Sequence, residues 1–337
     1  MKRRILAAGL ALATLLPLAV GCSGAPGADS GGGKLVIYTS MKENLIKGLV
    51  DGFKAANTNI QVEYQSAGAG KLMSKIAAER ESGKILADII WTSEVPDFYS
   101  MKADGILAQY KPVGSEAALN PLKNTEDYFT PARLGTLGIA YNTTKVTTPP
   151  TSWNDLKGAS FKNAFQIADP SQSGTSFVSV AMLQQLFGDQ FFTDLRANGA
   201  SVGSGSGAVV DSAASGEING ALAVDYITFD KIDAGATLAM AYPQEMMVIP
   251  SPIAMFKDSA APEAAKKFLD YMMTKEAQQI VAESGTLPVL KDVTVPAKYN
   301  IPSAADALQR GVALDYEAMM SKKEALVTSF LKIMQAK

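Results

Sequence analysis

The sequence predicts an α/β protein in which helices cover mainly parallel sheets. Apolar runs of strand length recur along the chain, and a helical pattern follows most of them. Parallel neighbours need a long crossover connection, and strands that alternate with helical patterns supply one. The 337 residues are 47% hydrophobic, which is ample for two packed cores. We therefore expect a globular chain divided into two lobes.

The predicted elements form two series. The first has strands at 34–38, 60–64 and 87–91 and helices at 43–56, 71–81 and 95–101. The second has strands at 137–141, 165–168 and 220–224 and a helix at 174–187. A further strand pattern at 248–256 contains Pro250 and Pro252, which favours an edge or a crossing strand over a central one. Helical patterns at 261–283 and from 304 to the end complete the chain.

The first residues have the features of an export signal that ends at Cys22, the one cysteine of the chain. A basic start and an apolar stretch precede a lipobox-like sequence, Ala19-Val20-Gly21-Cys22, with Ala19 in place of the usual Leu. The apolar stretch is shorter than the ~20 residues that a spanning helix needs. We expect a signal peptide at 1–21, a lipid on Cys22 and a flexible Gly-rich tether at 22–33. An ordinary secretory signal with an incidental cysteine is the alternative, and either one places the mature chain outside the cytoplasm.

The composition excludes several kinds of chemistry. The chain has no histidine, and lipidation of its cysteine would leave no thiol. Ser-His-Asp hydrolysis, cysteine catalysis and the usual zinc sites are therefore excluded. The sequence shows no cluster of Asp and Glu that suggests a two-metal centre, and a formal net charge of −2 gives no sign of nucleic-acid binding. We expect no enzyme, no cofactor, no metal site and no nucleic-acid partner.

Candidate ligand-binding residues follow the predicted strands. In open α/β sheets, ligands lie beyond the carboxyl ends of the strands, where helix N-termini point outward. Small polar residues follow each strand of the first series: Thr39, Ser40, Ser66, Gly68, Thr92 and Ser93. We expect hydroxyl and backbone N–H groups there to contact a bound molecule.

The strongest candidate for an anion site is the helix start formed by Ser173, Gly174, Thr175 and Ser176. Unpaired N–H groups and the helix dipole favour a phosphate or carboxylate there, by about 0.3–1 kcal/mol from the dipole alone. Plain N-capping explains the same residues equally well.

Three further segments follow or precede predicted elements in the second series. Asp225 and Tyr226 stand directly after a strand, in position to hold an amine or sugar hydroxyls. Glu245 is a weaker candidate in a loop. Residues 203–207 form a Gly/Ser loop that lacks the Lys-Ser/Thr of a P-loop; we interpret it as a flexible turn, with donation to a ligand as the alternative.

Several segments together resemble one family. Besides the lipobox and the tether they are KLVIYTS at 34–40, ADIIWTSE at 87–94, ADPSQSGTSF at 168–177, ALAVDY at 221–226 and YPQEMMVIPSPIAMF at 242–256. The chain is similar in these segments to the extracellular solute-binding proteins of ABC importers. The resemblance is to the branch that includes ferric-ion, 2-aminoethylphosphonate and sugar-phosphate binders, and it covers nearly all of 34–337.

The resemblance implies a two-lobe periplasmic-binding-protein fold of type II, each lobe a mostly parallel sheet flanked by helices, with hinge strands between. Lobe 1 would comprise 34–139 and 252–337, and lobe 2 would comprise 140–251, with Tyr141 near the hinge. The implied function is closure around a ligand and its delivery to an ABC permease and its ATPase. The protein would act as a monomer. It would be anchored through Cys22 to the outer face of the cell membrane, the periplasmic side if an outer membrane exists.

The resemblance leaves two ligand classes open. Ferric-binding relatives use a histidine, a glutamate and two tyrosines, and these positions align with Lys42, Ser93, Tyr226 and Ile227. A lysine repels a trivalent cation, so iron is disfavoured, although Glu94 lies one residue from the glutamate position.

The Ser173 helix start instead indicates a small phosphorylated or phosphonate anion. Ser173, Gly174, Thr175 and Ser40 would bind the anionic group, while Asp225 and Tyr226 would contact the rest of the molecule. Ferric ion stays the alternative ligand.

Overall fold

The computed structural model describes residues 33–335. The expected signal peptide, the lipidation site Cys22 and nearly all of the expected tether lie outside the described residues. The strands are β1 (Lys34–Thr39), β2 (Gln61–Ser66), β3 (Ile89–Trp91), β4 (Thr130–Asn142), β5 (Phe165–Ala168), β6 (Ser201–Gly203), β7 (Gly220–Val224), β8 (Leu238–Ala241) and β9 (Met247–Met255).

These strands form two parallel groups joined by two antiparallel strands. The sheet order is β2-β1-β3-β9-β4-β7-β5-β6, and β8 pairs with β4 beside this path. β1 pairs in parallel with β2 and β3, and β5 pairs in parallel with β6 and β7. We call the β1–β3 group with its helices the first lobe and the β5–β7 group with its helices the second lobe. Antiparallel β4 and β9 lie between them, which confirms the expected α/β fold with hinge strands.

Helices follow the parallel strands in both lobes. Their bounds are α1 (Glu43–Ala56), α2 (Ala69–Glu81), α3 (Val95–Ala103), α4 (Gly174–Phe187), α5 (Asp189–Ala197), α6 (Ser206–Ala214), α7 (Asp225–Asp233), α8 (Pro262–Met272), α9 (Lys275–Glu283), α10 (Ala304–Arg310), α11 (Tyr316–Met319) and α12 (Lys323–Met334). α1 and α4 have the bounds that the sequence predicts. Within residues 33–335, no helix is both long and apolar enough to cross a membrane.

The crossing strands β4 and β9 carry an irregularity that matters for the site. β4 is buried along its whole length and pairs with β9 over its first half and with β7 over its second half. Pro131 and Pro252 stand opposite each other, and the register shifts between Pro131 and Arg133. Proline has no N–H to donate to a neighbouring strand, so a bulge at this point removes few hydrogen bonds between β4 and β9. β9 is therefore the expected crossing strand, although it lies between β3 and β4 and is not an edge.

The C-terminal helix α12 contacts both lobes. The Phe330 ring on α12 lies 5.1 Å from the Phe192 ring of α5, and Lys323 at its start donates to Asp97 of α3 at 2.7 Å. The expected lobe boundaries, 34–139 plus 252–337 and 140–251, stay a prediction.

A buried glutamine joins the C-terminal helices of the first lobe to β4. Gln278 Nε2 donates to the carbonyl of Ala132 at 2.9 Å and to that of Met272 at 2.7 Å. Its Oε1 accepts the backbone N–H of Val289 at 2.7 Å. One side chain thus satisfies three buried backbone groups from three segments.

The Gln278→Leu variant should lose about 3 kcal/mol of unfolding free energy, because three buried backbone groups lose their partner. Urea denaturation followed by circular dichroism measures the loss. The matched control is Gln279→Leu, whose side chain bonds Glu283 at the surface and whose loss should stay below about 0.5 kcal/mol. Equal losses in the two variants would contradict the bridging role of Gln278.

Candidate ligand-binding site

A cavity of about 560 Å³ opens between the lobes at the carboxyl ends of the parallel strands. The first lobe lines it with Ser40, Met41, Lys42, Gly68, Ala69, Lys71 and Ser93. The second lobe lines it with Asp169, Gln172, Ser173, Gly174, Thr175, residues 204–208, Val224, Tyr226 and Ile227. Arg133 of β4 completes the lining. The cavity therefore occupies the place where open α/β sheets bind ligands.

Three hydroxyl groups meet where the N-termini of α4 and α6 converge. Ser173 Oγ lies 2.6 Å from Ser206 Oγ and 3.0 Å from Thr175 Oγ1. Thr175 Oγ1 lies 3.0 Å from Ser206 Oγ. Ser173 caps α4 by accepting the N–H of Ser176. The other first-turn N–H groups of a helix have no acceptor within that helix. The two helix starts thus offer hydroxyl and backbone donors, and the positive ends of two helix dipoles, to one point of the cavity.

The two lobes touch each other around this cavity. A Cβ on Gly68 would lie 2.5 Å from the carbonyl oxygen of Gln172, and one on Gly70 would lie 2.2 Å from that of Ser171. These are contacts between the start of α2 and the turn before α4. A Cβ on Gly174 would likewise lie 2.6 Å from Glu94 Cβ. Glycine at these positions allows a close backbone approach, and the lobes are in a closed arrangement.

Lys42 reaches across the cavity from the first lobe. Its backbone N–H donates to the hydroxyl of Tyr226 at 2.9 Å. Its Nζ lies 3.5 Å from the position that a Cβ on Gly207 would take, close to the start of α6. An ammonium group beside the positive end of a helix is unfavourable without an anion between them. The placement of Lys42 therefore points to a negatively charged occupant.

Arg133 is held inside the protein by an ion pair. Its side chain is 1% exposed, and Nη1 donates to Thr286 Oγ1 at 2.7 Å and to Asp225 Oδ1 at 3.4 Å. Asp225 Oδ2 also accepts hydrogen bonds from Thr286 Oγ1 at 2.6 Å and from the N–H of Thr136 at 2.7 Å. Asp225 is fully buried, so it fixes the guanidinium and does not face the cavity.

Burial sets the protonation of two neighbouring groups. Burial raises the pKa of Asp225, while the Arg133 guanidinium and the hydrogen bonds from Thr286 and Thr136 oppose that rise. Burial also raises the pKa of Tyr226 to about 12, with Arg133 again opposing it. Both shifts disfavour the charged form of a group that lies against Arg133.

Glu94 forms an ion pair outside the cavity. Its carboxylate forms a buried ion pair with Lys323, which also pairs with Asp97 at 2.7 Å. Burial, together with repulsion from Asp97, raises the pKa of Glu94 to about 7, against the attraction of Lys323. Glu94 does not line the cavity.

Half of the sequence-predicted ligand residues line the cavity and half do not. Those that line it are Ser40, Gly68, Ser93, Ser173, Gly174, Thr175 and Tyr226. Four hydroxyls behind it bond the backbone of the turns: Thr39 accepts from Met41 N, Ser66 donates to Met41 O, Thr92 accepts from Glu94 N and Ser176 donates to Ala168 O. They shape the loops that carry the lining residues.

The remaining three candidates are also outside the lining. Asp225 is buried beneath Arg133, and Tyr141 lies within β4 between β7 and β8. Glu245 is exposed, and its carbonyl oxygen accepts a hydrogen bond from Trp153 Nε1 at 2.9 Å.

Sequence reasoning missed Arg133 and undervalued Ser206. Arg133 lies in the half of β4 that has no strand pattern, and its position depends on the bulge. Residues 204–207 line the cavity, so the loop does more than turn the chain. Across residues 33–335, no three His, Cys, Asp or Glu side chains are grouped to hold a metal ion.

The sequence of the chain is similar to that of known binding proteins. The sequence profile of the bacterial extracellular solute-binding proteins matches residues 38–279. A protein of Salmonella paratyphi A named as a 2-aminoethylphosphonate-binding periplasmic protein is 26% identical over 271 residues, which cover 77% of this chain and 78% of that protein.

Two solved structures share the fold. The periplasmic binding protein AfuA from Actinobacillus pleuropneumoniae, with fructose-6-phosphate bound, has a TM-score of 0.75 at 22% identity and covers 90% of this chain and 99% of its own. Iron-bound HitA from Pseudomonas aeruginosa has a TM-score of 0.74 at 22% identity, covering 89% and 99%. Both are two-lobe binding proteins, so the expected two-lobe fold is confirmed.

The Asp225→Ala variant should lose about 3–5 kcal/mol of unfolding free energy, because Arg133 then stays buried without its counter-charge. The control is Asp230→Ala on the same helix, whose exposed carboxylate bonds Asn44. Its loss should stay below about 1 kcal/mol. Thermal or urea unfolding measures both, and a small loss for Asp225→Ala would contradict the assigned pairing.

Proposed function

Because the chain belongs to the bacterial extracellular solute-binding protein family, we propose that its cavity captures a small phosphorylated or phosphonate organic anion. Members of this family are the binding components of ABC importers, act outside the cytoplasm and are not enzymes. They deliver their ligand to a membrane permease with its ATPase. The expectations of an importer component and of no enzymatic activity are thereby confirmed.

The observation that carries the ligand proposal is the convergence of two helix starts on three hydroxyls. Ser173, Thr175 and Ser206 lie within 3.0 Å of one another. A phosphoryl group has three oxygen acceptors, and hydroxyl plus backbone N–H donors at a helix start are well suited to bind them. Lys42, which reaches the same helix α6, adds a positive charge.

Related proteins support the same class. The Salmonella relative is named for 2-aminoethylphosphonate, and AfuA contains fructose-6-phosphate. These two compounds differ in every part except the phosphorus oxyanion. A site that binds such different ligands should therefore contact the phosphoryl group that they share. The α4 and α6 starts are suited to that group.

Ferric ion is the alternative ligand, since HitA is iron-bound. The positions that align with ferric ligands carry Lys42, Ser93 and Ile227, and the adjacent Glu94 is paired with Lys323. Among these aligned positions only Tyr226 keeps the residue type of a ferric ligand. A hard trivalent cation needs several anionic oxygens, and the cavity supplies few.

Two features of the proposal concern the whole chain. We propose that Cys22 carries a lipid that holds the protein at the outer face of the cell membrane, supported by the lipobox-like sequence and the Gly-rich segment after it. We also propose that the protein works as a monomer, as the family resemblance implies.

The Ser173→Ala/Thr175→Ala variant should bind its organophosphorus ligand at least tenfold more weakly, because two anion donors are lost. Isothermal titration with fructose 6-phosphate, 2-hydroxyethylphosphonate, 3-phosphoglycerate, inorganic phosphate and ferric citrate identifies the class. Ser82→Ala is the control, since this exposed serine just after α2 does not line the cavity and should leave the affinity unchanged.

Loss of the Ser173 cap lowers stability by ~1 kcal/mol, so affinities should be compared at a temperature where all variants are folded. Binding of ferric citrate alone would contradict the proposal and favour the iron alternative. An unchanged affinity in the double variant would remove the α4 start from the site.

The Gly70→Ala variant should weaken binding at least tenfold without lowering the stability of the free protein. Its Cβ would lie 2.2 Å from Ser171 O, which obstructs closure, while alanine favours helix α2 itself. Gly70 does not line the cavity, so no ligand contact is removed. Titration calorimetry and small-angle scattering measure affinity and closure, and Ser74→Ala on the exposed face of α2 is the control. Normal affinity with a compact ligand-bound state would contradict the closure contact.

A further inference from the structure

The cavity has a strong asymmetry of charge that bears on the part of the ligand beyond the phosphoryl group. Among the described residues, the charged side chains that line it are Lys42, Lys71, Arg133 and Asp169. Three of these are cations. Neither Lys42 nor Lys71 has an ion-pair partner within the part of the chain that the structure describes.

Of the two acidic groups near the cavity, Asp225 pairs with Arg133 but does not line the cavity, and Asp169 lines it. Asp225 is buried behind Arg133, and its two oxygens already accept hydrogen bonds from Thr136, Thr286 and the backbone N–H of Tyr226. Asp169 is partly exposed, and its Oδ1 accepts the N–H of Ser171 at 2.8 Å. A solvated carboxylate that already has a partner attracts a cation only weakly.

Arg133 keeps donor capacity on its side toward the cavity. Nη1 makes the short bond to Thr286, but Nη2 reaches Ser93 Oγ only at 3.4 Å. Nε donates to the thioether sulfur of Met41, which is a weak acceptor. Because Nη2 and Nε have only these weak partners, they are suited to donate to an anionic or hydroxyl oxygen of a ligand.

Arg133 is also fixed in direction. The β4 bulge, the Asp225 carboxylate and Thr286 hold it on three sides, and a Cβ on Gly135 would lie 2.7 Å from Nη1. The guanidinium cannot turn away from an unfavourable ligand without breaking these contacts. A ligand ammonium in this cavity would meet the guanidinium of the pair and not its carboxylate, which lies outside the lining.

We infer that Arg133 is a specificity-determining residue and that the ligand is a phosphoryl compound whose remaining part is hydroxylated or carboxylated and carries no ammonium group. This inference rests on the proposed function. It separates this chain from the Salmonella relative named for 2-aminoethylphosphonate.

The test is a matched series of phosphonates titrated calorimetrically into the purified protein. 2-Aminoethylphosphonate, 2-hydroxyethylphosphonate and phosphonoacetate have similar lengths and differ in the end group, and fructose 6-phosphate adds a hydroxylated phosphate. We expect 2-aminoethylphosphonate to bind at least tenfold more weakly than the best of the other three.

Substitutions test which residues cause the weaker binding of the phosphonate that carries an ammonium group. In Arg133→Gln/Asp225→Asn, which removes both charges of the buried pair, the affinity ratio of phosphonoacetate to 2-aminoethylphosphonate should fall at least fivefold. Lys42→Met changes an exposed side chain that has no ion-pair partner among the described residues, and should lower the same ratio. Lys47→Met, on the exposed face of α1, should leave it unchanged.

The outcomes separate the two proposals. Equal or tighter binding of 2-aminoethylphosphonate would overturn the inference and leave the proposed function standing. Binding of none of the four compounds would overturn both. An unchanged ratio in both the Arg133 and the Lys42 variants would overturn the assignment of the discrimination to these residues.

Discussion

The buried ion pair between Arg133 and Asp225 is the interaction on which the site depends. It joins the crossing strand β4 to the first turn of α7 in the second lobe, and Thr286 bridges the two side chains from a third segment. Removing charges from water is costly unless partners and hydrogen bonds are well placed, and here each carboxylate oxygen has at least two partners. The pair therefore places a fixed cation beside the cavity and leaves its counter-charge outside it.

The rest of the binding surface adds donors to this cation. The α4 and α6 starts supply hydroxyls and N–H groups, and Lys42 crosses from the other lobe. Because each lobe contributes part of the donor set, an anion gains its full set of contacts only when the lobes are closed. A ligand with such differential contacts shifts the population toward the closed state, which is what an importer's permease must recognise. Gly68 and Gly70 permit the backbone contact that closes the cavity.

Much of this could be predicted from the sequence, and the limits have physical causes. Hydrophobic patterning predicts the helices α1 and α4. The helix start at Ser173 could be predicted as a candidate site because it follows a strand, and ligands lie beyond the carboxyl ends of strands in such sheets. The first half of β4 could not be predicted, since Pro131, Arg133 and Gly135 give no strand signal and pairing with β9 creates the strand. Asp225 was expected to face the ligand because it ends a strand, but only the fold shows that Arg133 stands in front of it.

The most direct test of anion capture between the α4 and α6 starts is a crystal structure of the protein grown with 2-hydroxyethylphosphonate. We expect closed lobes with the phosphorus atom between these helix starts, and its oxygens within hydrogen-bonding distance of Ser173, Thr175 and Ser206. The hydroxyl end should lie on the Arg133 side of the cavity. A phosphonate bound outside this cavity, or with its phosphoryl group away from both helix starts, would contradict it.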